Sequence, residues 1–347
     1  MDALTGPPVE DVAWVRLDEP SAVGAARRAA ERLAAQLGAE GVRVAEIGIA
    51  VSEITSNVQR HAGGGAVLLR ALRGQEPAEI EIVAIDTGPG ISDLGEARRD
   101  GMSTVGSLGI GMGAIERMAD SVEITTTPER GTVLVACFGL RRRRGAARDT
   151  ERPGEAAGIT RALAGEQVCG DAYAVRRHGR GVVLMVCDGS GHGPMAASAS
   201  SAAVRTFLAP ERPAVPPADV LERVHGALSG TRGAAVAIAE LDPEAAVVRF
   251  AGIGNIAGAV LHDGGKRSMV SIGGVAGYRK PAIRTFEYAY PPGAVVVLHS
   301  DGVRSRWSGT EFRGLLARPP LLLAASLLRD AGLRHDDACV LVGRAAS

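Results

Sequence analysis

The chain has 347 residues, 46% of them hydrophobic and 22% charged, with a formal net charge of zero and only 3% aromatics. That length exceeds the usual size of one hydrophobic core, so two domains are expected. The balanced charge and scarce aromatics exclude a nucleic-acid binder built on a basic face or stacking platforms.

Lysine occurs only at Lys266 and Lys280, so the N-terminal half has no P-loop lysine. Cys137, Cys169, Cys187 and Cys339 lie beside apolar strand-like sequence without C-x-x-C spacing and read as core thiols of a reducing compartment. No signal-peptide pattern opens the chain, and the apolar run Leu321 to Leu328 is too short to span a bilayer. A cytoplasmic protein without membrane or nucleic-acid partners is expected.

In chain order, Ser21 is placed to cap a helix to Leu37, with Val23, Ala30, Leu33 and Leu37 on its buried stripe. A second helix is predicted from Val42 to His61, with Ile47, Val51, Ile54 and Val58 inward. Glu53, Asn57 and His61 share another face at four-residue spacing. For the helix alone, solvated surface is the favoured reading. Ala78 to Ile85 alternates as a strand and runs into Asp86-Thr87-Gly88-Pro89-Gly90-Ile91. Gly106-Ser107-Leu108-Gly109-Ile110-Gly111-Met112-Gly113 then opens a helix to Met118. Any glycine-rich turn can match that spacing, but before a helix its free N–H groups can hold phosphate oxygens. Strands Val122 to Thr126 and Thr132 to Phe138 close the half around Glu129-Arg130-Gly131.

These pieces resemble the GHKL ATPase superfamily, over roughly residues 10 to 140. The N-box is similar to Glu53–His61, the adenine motif to Asp86–Ile91, the lid to Gly106–Gly113, and the late Gly-Thr to Gly131-Thr132. Asp100-Gly101-Met102-Ser103-Thr104 resembles the switch-kinase branch of bacterial stress signalling. The resemblance implies a Bergerat-type α/β sandwich binding ATP. Asn57 would ligate Mg²⁺, and Asp86, with Gly88, Gly90 and Thr132, would receive adenine. Gly109, Gly111 and Gly113 would line the phosphates. Glu53 would act as general base on a protein serine, whose hydroxyl is a poor nucleophile near neutral pH. His61 is left as structure.

Arg141 to Arg144 and the small, polar residues that follow read as a solvated linker, 141–157, between domains 1–140 and 158–347. Beyond it, Gln167 to Tyr173 opens a hairpin turning at His178 to Gly181 and returning through Val183-Leu184-Met185-Val186-Cys187-Asp188-Gly189. The return strand is wholly apolar until its acid, and burying a carboxylate is costly unless it is paired. This hairpin brings Asp171 and Asp188 together. Helices follow at Pro194 to Leu208 and from the Pro-rich loop to Leu228, then strands at Ala234–Glu240, Val247–Ala251 and Ala257–Leu261. Val295 to Leu298 leads to Ser300-Asp301-Gly302, and a helix at Leu321 to Arg329 leads to Asp336-Asp337 before an apolar strand. Each acid singly is an ordinary turn residue. Together they suit hard divalent cations, which take oxygen ligands and in pairs activate water and clamp phosphate.

The second half resembles the SpoIIE-type metal-dependent serine/threonine phosphatases, in the order Gly170-Asp171, Asp188-Gly189-x-Gly191-His192-Gly193, Gly254-Asn255, Ser300-Asp301-Gly302, Asp336-Asp337. The resemblance implies an αββα sandwich with a binuclear Mn²⁺ or Mg²⁺ centre. Asp171, Asp188 and the Gly189 carbonyl would hold one ion, and Asp188, Asp301 and Asp336 the other. Asp336 is favoured over Asp337 by motif position. Cys339 stands where the family often has Thr. The two resemblances together imply a two-domain α/β (α+β) chain with opposed activities on a serine or threonine of a STAS-domain partner, within a stressosome-like or sigma-factor partner switch. Two alternatives stay open: an ATP-dependent anti-sigma module that sequesters a sigma factor or other partner without transferring phosphate, and an ATP gate on the phosphatase. GHKL relatives often dimerise, which leaves a homodimer open.

Overall fold

The structure, a computed structural model, describes residues 9–73, 78–97, 111–141, 156–178, 181–209, 215–278 and 282–345. The chain forms two compact units, Met1–Glu151 and Arg152–Ser347. Each is taken separately.

The first unit comprises β1 (Val9–Arg16), α1 (Ser21–Gln36), α2 (Gly41–Asn57), β2 (Gly65–Leu72), β3 (Glu79–Asp86), α3 (Leu94–Ala97), α4 (Met112–Met118), β4 (Ser121–Thr127) and β5 (Gly131–Gly139). Its strands form one antiparallel sheet in the order β1-β2-β3-β5-β4. Alternate residues of the central strands, among them Val67, Leu69, Ile80, Ile82, Leu134 and Ala136, pack with Ala30, Leu33, Ile47, Val51, Ile54 and Ile115 from the helices.

Three expectations change here. Pro20 occupies the N-cap of α1 and no side chain caps it, so Ser21 is the first helical residue. The buried stripe of α1 is Ala26, Ala30, Leu33 and Ala34, because small alanines let it lie close to its neighbours. The second helix does not stay α-helical to His61. It becomes a π-turn over Val58–Ala62, directly after Asn57, and ends on Gly63 at φ +69°. π-turns are rare and recur at functional positions.

The second unit contains β6 (Ala156–Arg161), β7 (Asp171–His178), β8 (Gly181–Gly189), α5 (Gly193–Leu208), α6 (Pro217–Ala227), β9 (Ala234–Asp242), β10 (Val247–Ile253), β11 (Ala257–His262), β12 (Gly265–Met269), β13 (Phe286–Ala289), β14 (Val295–His299), a 3-10 helix (Gly309–Leu315), α7 (Pro320–Ala331) and β15 (Ala338–Gly343). Ala156 and Ala157, which composition assigns to the linker, are paired in β6 with Gly343 and Val342. Two antiparallel five-stranded sheets result, ordered β13-β10-β9-β8-β7 and β12-β11-β14-β15-β6.

The side-chain period of two divides β8 between two cores. Val183, Met185 and Cys187 pack with Ala199, Phe207, Val220 and Val224 of α5 and α6. Val182, Leu184 and Val186 pack with Val296, Leu298, Cys339 and Leu341 of the opposite sheet. Burial on both faces is why β8 reads as an unbroken apolar run. With α7 among the contacts of β15 and β6, the layers form an αββα sandwich. Cys137, Cys187 and Cys339 are buried free thiols, and Cys169 is part-buried and free. Among the described residues no helix is long and apolar enough to cross a membrane.

Candidate functional site

In the first unit the chemistry-bearing residues come from the end of α2, the end of β3 and the β4–β5 turn. Glu53 and Asn57 lie one turn apart on α2, part-exposed beside the buried Ile54 and Val58. Asp86 ends β3 and is 8% exposed, so its carboxylate needs partners. Its Oδ1 accepts the Gly88 N–H at 2.9 Å and the Thr132 N–H at 3.1 Å. Gly131 approaches so closely that a Cβ there would stand 2.1 Å from the Asp86 carbonyl oxygen, and its φ is +96°. Thr132 Oγ1 lies 3.2 Å from Thr126 Oγ1, which also accepts the Ile91 N–H at 2.8 Å. Thr126 therefore ties the loop carrying Gly88 and Gly90 to the sheet. Sequence reading missed this role, since a threonine in an alternating strand carries no local sign of it.

Gly111 is the N-cap of α4 and Gly113 lies inside it; Gly109 and the rest of 98–110 lie outside the described residues. α4 is fixed at its far end by buried Arg43, which donates to the Met118 carbonyl at 2.7 Å, to Asp120 at 2.7 Å and to the Gly139 carbonyl at 2.9 Å. His61 is exposed.

In the second unit four elements deliver acids to one end of the gap between the sheets. Asp171 opens β7 and sits directly opposite Asp188 in β8. By strand alternation Asp188 shares the face of Val182, Leu184 and Val186, which fill the inter-sheet core. Ser300 follows β14 on the face of Val296 and Leu298, and Asp337 precedes β15 on the face of Cys339 and Leu341. Ser300 stands beside Asp171, whose pKa it lowers, and its Oγ accepts the Cys339 N–H at 2.9 Å. Asp301 and Asp188 are close enough to shift each other's pKa, and Asn255 Nδ2 donates to Asp301 Oδ2 at 2.6 Å.

The two terminal acids are used differently. Asp337 is 2% exposed and accepts two backbone bonds, from Leu163 N–H at 2.7 Å and Gly170 N–H at 2.9 Å. Gly302 makes room for its main chain: a Cβ there would lie 1.8 Å from the Asp337 carbonyl oxygen. Asp336 is part-exposed, with Oδ1 accepting the Asp337 N–H at 2.9 Å.

Crowding these acids is electrostatically costly. Burial, then the charges of Asp337, Asp301 and Asp336, raises Asp171 to about 7 despite the lowering bond from Ser300. Burial and the charges of Asp171, Asp301 and Asp336 raise Asp188 to about 8. Asp301 is raised by burial and by Asp336. Asp171 Oδ2 is buried and has no hydrogen-bond partner. Among the described residues no three ligating side chains already close on a common point as a coordination shell does. The donors nevertheless suit a hard divalent cation: all are oxygens, several are anionic, and one is an orphaned buried oxygen.

Around this cluster, His192 stands at the N-cap of α5 with Nδ1 2.6 Å from Glu166 Oε1. His299 is buried, pairs through Nδ1 with the Ser300 carbonyl at 2.8 Å and receives the Trp307 Nε1–H at 3.2 Å. Burial pushes its pKa down to about 4, so it stays neutral. Neither Glu166 nor Trp307 carries a local sequence signal, because each acts through a tertiary contact.

The two units are thus an α/β domain that holds a buried carboxylate between a glycine-rich loop and a Gly-Thr turn, and an αββα domain with a cluster of acids suited to hard cations. Residues 17–138 match the histidine kinase-like ATPase domain family, and residues 178–345 match the stage II sporulation protein E (SpoIIE) family. The serine/threonine-protein kinase RsbT of Bacillus subtilis (strain 168) is 32% identical over 133 residues, 38% of this chain and 100% of RsbT. The phosphoserine phosphatase RsbX of the same organism is 26% identical over 142 residues, 40% of this chain and 69% of RsbX. A solved structure described as part of the bacterial stressosome, a modular system adapted to control secondary messenger signaling, shares 30% identity. It covers 55% of this chain and 98% of its own, with a TM-score of 0.51. The chain belongs to the histidine kinase-like ATPase family in its first half and to the SpoIIE phosphatase family in its second.

Proposed function

We propose that this chain both places and removes phosphate on a serine or threonine of a STAS-domain protein, as a regulator in a bacterial partner switch. The observation that carries the reading is the convergence of Asp171, Asp188 and Asp301 at the open end of one sandwich, together with Asp86 held between Gly88 and Thr132 in the other unit. The likeness to a kinase and a phosphatase supports joining the two activities in one chain.

For the first unit, Asp86 presents its free acceptor capacity to the adenine amino group while Gly88 and Thr132 hold it in place. Asn57 would hold Mg²⁺ with the ATP phosphates, and Gly109, Gly111 and Gly113 would border them. Glu53, one turn before Asn57, takes the proton from the attacking serine hydroxyl. For the second unit, Asp171, Asp188 and the Gly189 carbonyl would hold one Mn²⁺ or Mg²⁺, and Asp188, Asp301 and Asp336 the other. Bound there, the ions supply an activated water and a clamp for a phosphate oxygen. The protein keeps Asp171 oriented by Ser300 and Asp301 by Asn255, and Asp337 fixes the strand carrying Asp171.

The test is incubation of the full chain with radiolabelled ATP, Mg²⁺ and each STAS protein encoded beside or with it. One should become labelled. Glu53→Ala should abolish the label and Asp188→Ala should prolong it. No labelling of any STAS protein removes the kinase half, and an unchanged label lifetime in Asp188→Ala removes the phosphatase half.

A further inference from the structure

A cavity of about 330 Å³ opens beside Asp301, lined among others by Asn255, His299, Ser300, Arg304 and Arg306. Its lining includes one proposed metal ligand, Asp301, and two arginines that the mechanism above does not use. Both arginines are exposed, and among the described residues neither guanidinium has a partner.

The loop presenting them is held at both ends. Val303 bridges to Gly332, and the Arg304 N–H donates to the Ala331 carbonyl at 2.9 Å. Lys266 Nζ donates to the Ser305 carbonyl at 2.7 Å and to the Trp307 carbonyl at 3.3 Å, and lies 3.5 Å from the Trp307 ring centre. Trp307 in turn donates to the buried His299 and packs edge-on against Phe312 at 5.8 Å. Two unpaired guanidiniums on a pinned loop are pre-organised for an anion, because little backbone freedom is lost when one binds.

We propose that Arg304 and Arg306 form a specificity subsite that takes the carboxylate of an Asp or Glu flanking the phosphorylated residue of the protein substrate. The proposal rests on the phosphatase reading of this unit and adds the chemistry of its substrate. The reacting phosphate belongs against the Asp171–Asp188–Asp301 acids. Asp301 and both arginines line the same cavity, whose volume of about 330 Å³ has room for a neighbouring side chain. Arginine suits a carboxylate there through paired N–H donors.

The experiment uses the full chain with Mn²⁺ and phosphoserine peptides that differ only in a flanking Glu, Ala or Lys. With wild-type protein the Glu peptide should have a KM about fivefold below the Ala peptide for each contact made, the scale of a well-formed exposed ion pair. The double variant Arg304→Ala/Arg306→Ala should bring that ratio to one. The charge swap Arg304→Glu/Arg306→Glu should favour the Lys peptide, a reversal that misfolding cannot produce. A wild-type ratio of one, or a ratio that survives in the double variant, overturns the subsite. Hydrolysis of p-nitrophenyl phosphate by the wild-type chain checks the phosphatase reading separately. If that reaction is absent, the phosphatase reading falls, and fluorescence anisotropy of the same labelled peptides still decides whether the arginines select for acid.

Discussion

Asp336 and Asp337 are adjacent, chemically identical and assigned opposite work, so exchanging each for alanine gives opposite phenotypes. Asp337→Ala leaves the Leu163 and Gly170 N–H groups without acceptors in a site where the side chain is 2% exposed. An unsatisfied buried donor costs roughly 1–3 kcal/mol; with the Gly170 bond buried and the Leu163 bond part-buried, the pair costs about 2–4 kcal/mol. That is a large part of the roughly 5–15 kcal/mol that holds a domain folded. Asp336→Ala removes one part-exposed acceptor, for the Asp337 N–H, and also removes a negative charge from a crowded set. Its stability effect should stay within about 1 kcal/mol. Its phosphatase rate with Mn²⁺ should fall more than about 100-fold, beyond the usual cost of losing an outer-shell partner of a metal. The chain has 2 tryptophans, Trp14 in the first unit and Trp307 in the second. In a Trp14→Phe background, urea unfolding followed by Trp307 fluorescence therefore reports the second unit alone. An Asp337→Ala protein as stable as wild type but inactive would move the ligand role to Asp337 and refute the reasoning.

Two further outcomes follow from the same geometry. Because Asp171 and Asp188 are raised to about 7 and about 8 in the folded protein, that state keeps protons which the unfolded chain releases near the ordinary carboxylate value of about 4. In EDTA the second unit should lose stability as pH rises from about 4 to about 8, and excess Mn²⁺ should flatten or reverse that slope; urea midpoints across this range check the sign. Gly131→Ala should destabilise the first unit by more than about 2 kcal/mol and abolish binding of a fluorescent ATP analogue, since the added carbon meets the Asp86 carbonyl and the φ of +96° disfavours any side chain. Retained nucleotide binding would show that Asp86 is not what holds adenine.

The strand-end acids were legible because each ends or begins an apolar run, and an acid at such a point breaks a local pattern. Asp171 and Asp188 could be paired from the hairpin between them, and the structure sets them directly opposite each other. The change from α- to π-helix after Asn57 was not legible, since apolar spacing along a helix does not record which carbonyl each N–H chooses. Nor were β1, β2, β6, β12 and β13, which the predicted elements omit. β12 and β13 are sheet edges with mostly exposed or half-buried positions, so their composition carries little pattern. Residues 98–110, where the lid glycines up to Gly109 were read, lie outside the described residues.

Local pattern was enough to place strands such as β3, β8, β14 and β15 and the acids at their ends, because burial and strand alternation act over a few neighbouring residues. It could not show which backbone donors each acid of the cluster meets. Asp337 meets its two backbone donors, Leu163 and Gly170, from 174 and 167 positions away, and the loop carrying Arg304 and Arg306 is pinned by Lys266 from another strand. Hydrogen bonds and charge coupling depend on separation in space. For residues so far apart in the chain, only the closed sandwich fixes that separation.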